Sequence, residues 1–200
     1  QGRAGASAHT IASGAILEFG AGSSFNQTGV TSIGGAGTLK LTNNGLVFGT
    51  AQNITTALSA GGLIWVTNNA TITGSSTNRG IWNTNLGSLQ VDSGSTINFV
   101  EAGNQSTAQF DALNGGGTVS IGYSVARTLV VGAANGSGNF SGVLKDGSAA
   151  MNFSKVGTGT QTLSGLSSTA SNNYTGTTTI DRGTLAFTTT NPSLTGGLTF

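Results

Sequence analysis

Short strand-like segments recur along the chain at a nearly constant interval. Segments such as Thr38–Leu41, Ser88–Val91 and Thr184–Phe187 are bounded by Gly or Asn and alternate apolar with polar residues, which is typical of β-strands. One apolar marker per segment gives a mean interval of about 24 residues, and a period of that length indicates stacked units. The markers are Leu17, Leu39, Leu63, Leu89, Val119, Leu144, Leu163 and Leu185.

This period predicts an all-β fold, a parallel β-helix (β-solenoid) of about eight coils. A helical alternative fails, because Gly or a Ser/Thr/Asn cluster interrupts every apolar stripe with helical spacing. A β-sandwich remains as the alternative within the all-β class. We expect residues 1–200 to form a single solenoid domain. The longest interval, from Leu89 to Val119, predicts an insertion loop over residues 101–117.

The composition suits stacked coils better than disorder. Gly, Thr, Ser and Asn make up 106 of the 200 residues, and only 6% are charged. Disordered chains are usually charged and poor in apolar residues, whereas 36% of this chain is hydrophobic. Gly and Asn accept the positive φ angles of tight corners, and Thr and Ser suit an outward, solvated strand surface.

Several classes of protein are disfavoured by charge and residue content. The seven Lys and Arg residues lie far apart in sequence, so no basic patch for nucleic acid is expected. No run of apolar residues is long enough for a transmembrane helix, and no signal peptide is recognisable at the first residues. The absence of cysteine excludes disulfides and cysteine zinc ligands.

The region 136–187 resembles the autotransporter-associated β-strand repeat of bacterial autotransporter passengers. That repeat contains a Lys, a Gly-x-Gly-Thr-x-x-Leu strand with a following Gly, an Asn-x-Tyr-x-Gly-x-Thr-x-Ile element and a final Gly-x-Leu. The corresponding residues are Lys155, Gly157, Gly159, Thr160, Leu163, Gly165, Asn173, Tyr174, Gly176, Thr178, Ile180, Gly183 and Leu185. The loop 166–171 is longer than the pattern, and the match covers about a quarter of the chain.

The resemblance implies a right-handed parallel β-helix that is exported across an outer membrane and held at the cell surface or outside the cell. It also implies a C-terminal β-barrel translocator, for which residues 1–200 contain no strand pattern. The chain is therefore expected to be a passenger fragment or a free-standing secreted relative.

We expect no catalytic, cofactor or metal site. His9, the one histidine, has no carboxylate near it in sequence, and the six carboxylates are spread over the whole length. Stacking could still bring acids together as in a carbohydrate-active enzyme, which is the weakest alternative. The aromatic residues Trp65, Trp82, Tyr123 and Tyr174 could stack on sugars if exposed, but core or corner packing is favoured.

These observations predict a structural or adhesive shaft of an autotransporter-like protein. The alternative is a self-assembling subunit of an extracellular filament, since Leu198-Thr199-Phe200 forms an apolar strand without a polar cap. The expected partners are neighbouring β-helix segments or copies of the chain, with surface glycans and host or cell-surface proteins as further candidates.

Overall fold

The structure is a computed structural model that describes residues 7–20, 30–42, 46–48, 54–74, 80–99, 106–121, 125–165, 174–188 and 196–200. Every regular element among these residues is a β-strand. Paired strands run parallel and belong to successive coils about 24 residues apart, as for Leu89 with Leu113 and Gln161 with Leu185. The predicted all-β solenoid is thus confirmed.

The described residues contain 22 short strands. In chain order they are β1 (Ser7–Ile11), β2 (Ile16–Phe19), β3 (Val30–Gly35), β4 (Thr38–Leu41), β5 (Leu46–Phe48), β6 (Ile54–Leu58), β7 (Leu63–Val66), β8 (Thr71–Gly74), β9 (Gly80–Ile81), β10 (Ser88–Val91), β11 (Thr96–Phe99), β12 (Thr107–Phe110), β13 (Leu113–Gly115), β14 (Thr118–Ile121), β15 (Arg127–Val131), β16 (Gly138–Phe140), β17 (Val143–Asp146), β18 (Met151–Lys155), β19 (Thr160–Leu163), β20 (Thr178–Ile180), β21 (Thr184–Phe187) and β22 (Leu198–Thr199).

The strands form four parallel sheets. The long sheet stacks eight strands in the order β2-β4-β7-β10-β13-β16-β19-β21. The strand before it in each coil belongs to β1-β3-β6-β9 or, further along, to β12-β15-β18-β20-β22. The backbone N–H of Gln109 donates to the carbonyl of Trp82 at 3.1 Å, which joins these two sheets into one face. A third face contains β5-β8-β11-β14-β17.

Alternating side chains of the long sheet build the core in two inward columns. Leu39 and Leu41 are fully buried, as are their register partners Ile64 and Val66. The period-two pattern therefore turns an apolar set inwards in these coils. Burying each such side chain contributes about 1.5–3 kcal/mol, so repetition supplies the core that no single coil could form.

The register corrects two details of the sequence prediction. Leu63 faces outwards and its neighbour Ile64 takes the inward position. Val119 and Leu144 belong to the third face, where Val119 pairs with Ile97 and with Leu144, whereas the coil partner of Leu89 is Leu113. The long interval before Val119 therefore reflects a change of face.

The register also shortens the region that could hold the insertion predicted at residues 101–117. Residues 106–117 contain the regular strands β12 and β13, which pair in register with their neighbours. Residues 101–105 lie outside the described part of the chain.

Candidate functional site

Most carboxylates of the chain bind groups on neighbouring coils or at corners. Asp111 Oδ1 accepts the backbone N–H groups of Ala134 and Gly136, both at 2.7 Å. Asp146 Oδ1 accepts the N–H of Met151 at 2.8 Å and that of Thr175 at 3.0 Å. Because a carboxylate is a strong acceptor, these two acids fix the corners of adjoining coils.

A continuous network covers the outside of the long sheet in its early coils. We call Glu18, Lys40, Trp65, Gln90 and Asp92 the outer strip. Lys40 Nζ lies 3.3 Å from Glu18 Oε2 and 5.2 Å from the centre of the Trp65 ring. The Trp65 indole N–H donates to Asp92 Oδ2 at 2.8 Å, and Gln90 Nε2 donates to Asp92 Oδ1 at 2.8 Å. The strip links four successive coils side chain to side chain.

The environment of Asp92 favours its ionised form. Burial raises the pKa of this carboxyl, but hydrogen bonds from Thr67, Gln90 and Trp65 together outweigh that cost and lower the pKa below its usual 3.8. Asp92 therefore carries its charge at neutral pH and keeps the Trp65 indole oriented.

The aromatic side chains considered for sugar stacking differ in burial and in location. Trp82 and Tyr174 are buried, Trp82 packing edge-on against Phe99 with ring centres 5.2 Å apart. Trp65 is half-buried on the outer surface, with Lys40 over its ring. Core packing is thus confirmed for Trp82 and Tyr174, while Tyr123 lies outside the described residues.

The Lys of the repeat motif closes a corner from the inside. Lys155 is fully buried at the end of β18, and its Nζ donates to the carbonyls of Val156, Gly157 (3.0 Å) and Arg182 (3.4 Å). Burial lowers the pKa of this amine, and the charge of Asp111 partly opposes the change. Lys155 therefore ties its own corner to that of the next coil.

The motif glycines lie where two coils approach most closely. Gly157 and Gly183 have φ angles of +64° and +70°, and a Cβ on Gly183 would lie 2.5 Å from the Gly157 carbonyl oxygen. A side chain there would strain the backbone and separate the coils. Gly159, Gly165 and Gly176 likewise approach the preceding coil too closely for a Cβ.

The remaining motif positions form strands and core. Thr160 begins β19, and Leu163 and Leu185 occupy inward positions of the long sheet. Tyr174 stacks on Phe153, and its hydroxyl lies 2.7 Å from Thr178 Oγ1. Burial raises the pKa of Tyr174 to about 12, although the Thr178 hydrogen bond acts to lower it. Ile180 ends β20, and Asn173 lies outside the described residues.

The side-chain amides of Asn85 and Gln161 are buried and bind backbone groups where strand pairing is incomplete. Sequence reasoning did not identify either residue. Gln161 takes an inward position above Gly138, and its Nε2 and Oε1 bond the carbonyl (2.9 Å) and N–H (3.0 Å) of Leu113, two coils away. Asn85 Oδ1 accepts the N–H of Leu58 at 3.0 Å, and its Nδ2 donates to the carbonyl of Gln109 at 3.2 Å. Each amide replaces backbone pairing that the strands do not provide.

Among the described residues, no three His, Asp or Glu side chains group together as metal ligands would. His9 lies exposed on β1, in register with Ile33. The described part of the chain also holds no helix long and apolar enough to cross a membrane.

No protein-family model, curated protein or solved structure matches this chain. The resemblance to the autotransporter repeat accordingly depends on the residues of the motif themselves.

Proposed function

We propose that the chain is the β-helical shaft of an autotransporter-like protein that is secreted or displayed at the cell surface. The single observation that carries this proposal is the long sheet: eight parallel strands from successive coils stack in order, and polar side chains cross from coil to coil along it. A solenoid of this kind gains stability from each added neighbour, so it extends a protein along one axis without a separate core.

The use of charged groups supports a shaft over an enzyme. One oxygen of Asp111, one oxygen of Asp146 and the Lys155 amine form backbone hydrogen bonds at corners. Carbohydrate-active enzymes need carboxyl groups that can reach a substrate. Surface glycans and proteins of a host or neighbouring cell are the partners proposed for such a shaft, together with adjoining β-helix segments.

The location is testable with an antibody against residues 1–200. The antibody should label intact source cells or their culture medium, and external protease should remove the label from intact cells. Labelling that appears only after the cells are lysed would contradict export. An internal protein of the same cells, probed in parallel, controls for leakage.

A filament subunit is the second candidate, favoured by the two end coils of residues 1–200. Leu17 and Phe19 of β2 occupy the same two inward columns as Leu185 and Phe187 of β21, and all four are only partly buried. A coil placed on either end, from a continuing chain or a second copy, would extend both columns in register.

Electron microscopy of the purified chain separates these two functions. A filament subunit forms long polymers that Phe187→Asp abolishes, since the substitution puts a charge in the column. Particles that stay short at high protein concentration would exclude the filament and leave the shaft.

A further inference from the structure

The corner at Asn135-Gly136 contains an Asn-Gly dipeptide in which the Asn side chain and the Gly N–H are both hydrogen-bonded to other coils. Asn135 is exposed and has a φ angle of +69°. Gly136 follows it, and glycine lacks the Cβ that would shield its backbone nitrogen. We propose that Asn135 is a deamidation site at which the folded stack slows the reaction, and that Asp111 is the residue mainly responsible for this protection.

The chemistry needs only water as co-reactant. The Gly136 nitrogen loses its proton and bonds to Asn135 Cγ, while the bond from Cγ to the side-chain nitrogen breaks and releases ammonia. Water then opens the cyclic imide at either carbonyl, giving aspartate or isoaspartate at position 135. The net change is one water consumed and one ammonia released.

Both reacting groups are held away from this path by other coils. The Gly136 N–H donates to Asp111 Oδ1 at 2.7 Å, and the same oxygen accepts the N–H of Ala134. On the other side, Asn135 Oδ1 accepts the N–H of Thr158 at 3.0 Å and its hydroxyl at 3.3 Å. The Asp111 carboxylate thus stabilises the protonated form of the Gly136 nitrogen, and Thr158 fixes the carboxamide that must turn.

Asn114-Gly115 supplies an internal reference within the same fold. Asn114 Oδ1 accepts the N–H of Asn139 on the next coil at 3.0 Å. Asp111 accepts the N–H groups of Ala134 and Gly136, so a change at position 111 should leave Asn114 unaffected unless the fold is lost. The third Asn-Gly pair, Asn44-Gly45, lies outside the described residues.

The full chain is incubated at neutral pH and 37 °C, folded and in denaturant, and aspartate and isoaspartate are quantified by peptide mapping with mass spectrometry. In the folded chain, Asn135 should convert about tenfold or more slowly than in the denatured chain, because the hydrogen bonds that hold Gly136 N–H and the Asn135 carboxamide must break first. Equal rates in the two states would overturn the proposal.

Two substitutions assign the protection to Asp111. Asp111→Asn keeps an acceptor but removes its charge, so conversion at Asn135 should rise about threefold. Asp111→Ala removes the acceptor and should bring the rate near that of the denatured chain, with Asn114 unchanged. If Asp111→Ala unfolds, both sites accelerate together and the Asp111→Asn result decides. An unchanged Asn135 rate in folded Asp111→Asn contradicts the assignment.

Discussion

The early and late coils of the solenoid differ in the contacts that predominate between them. In the early coils the outer strip joins side chains to side chains on the outside of the long sheet, as in the Trp65–Asp92 bond, beside the buried Asn85 amide. In the later coils side-chain oxygens accept backbone N–H groups at corners, as Asn152 does for Thr177 at 2.9 Å. Lys155 and Gln161 add buried contacts there.

The difference predicts which coils contribute most to the free energy of unfolding through their polar side chains. Ion pairs at the surface contribute little and are screened by salt. Buried backbone groups that lose their partner cost considerably more. The later coils, which also contain the repeat motif, should therefore be the more sensitive to substitution.

The largest effect is expected for Lys155→Ala. The substitution leaves three part-buried carbonyls without their donor and opens a cavity where the lysine side chain was buried, which should lower the free energy of unfolding by about 4 kcal/mol. Denaturant unfolding followed by circular dichroism measures it. The matched control is Lys145→Ala, at an exposed lysine of β17. A similar loss in both variants would contradict the special role of the buried amine.

Gln161→Ala comes next. It removes both hydrogen bonds between the side-chain amide and the backbone of Leu113. A buried N–H and a buried carbonyl are then left unpaired beside Gly138, which should lower the free energy of unfolding by about 3 kcal/mol. Thr162→Ala, the next residue of β19 on the outer side, is the control. Hydrogen exchange at Leu113 should accelerate only in the Gln161 variant, and unchanged protection would show that strand pairing alone closes this gap.

Tyr174→Phe should cost about 1 kcal/mol at neutral pH through the lost Thr178 hydrogen bond. Since the folded-state pKa is raised from 10.0 to about 12, this tyrosine stabilises the fold fully below pH 10, and the contribution is lost as pH rises through 12. The wild-type chain should therefore lose stability over that alkaline range more steeply than the variant. Parallel curves of unfolding free energy against pH would contradict this assignment.

The smallest effect is expected in the outer strip. Asp92→Asn should change the free energy of unfolding by less than about 1 kcal/mol at neutral pH. Because the pKa of Asp92 is lowered, its contribution is present above pH 3.8 and disappears as pH falls through the lower folded-state value. The variant should flatten the acid limb of the stability curve. A loss as large as that of Lys155→Ala would remove the distinction between early and late coils.

Sequence alone predicts the strands and their period because alternation and corner glycines are local signals. It does not assign strands to faces: Val119 and Leu89 look equivalent in sequence but lie in different sheets. The role of Gln161 depends on a vacancy at Gly138 and a partner 48 residues away. A glycine and a glutamine at successive inward positions are the signal that could have revealed it.

The resemblance located Lys155 and its glycines but not what they contact. Their roles become apparent only when Arg182 and Gly132 of the adjoining coils are in place. The outer strip was missed for a similar reason, since its members lie in different coils and carry no shared motif.

The most direct test of a shaft of stacked coils is one distance along its axis. The chain contains no cysteine, so Glu18→Cys and Ala186→Cys provide two unique sites for spin labels on the outside of β2 and β21. Seven strand spacings of about 4.8 Å separate these strands, which predicts a narrow distribution centred at about 34 Å. A broad distribution, or a mean below about 20 Å as in a folded-back sandwich, would contradict the stacked shaft.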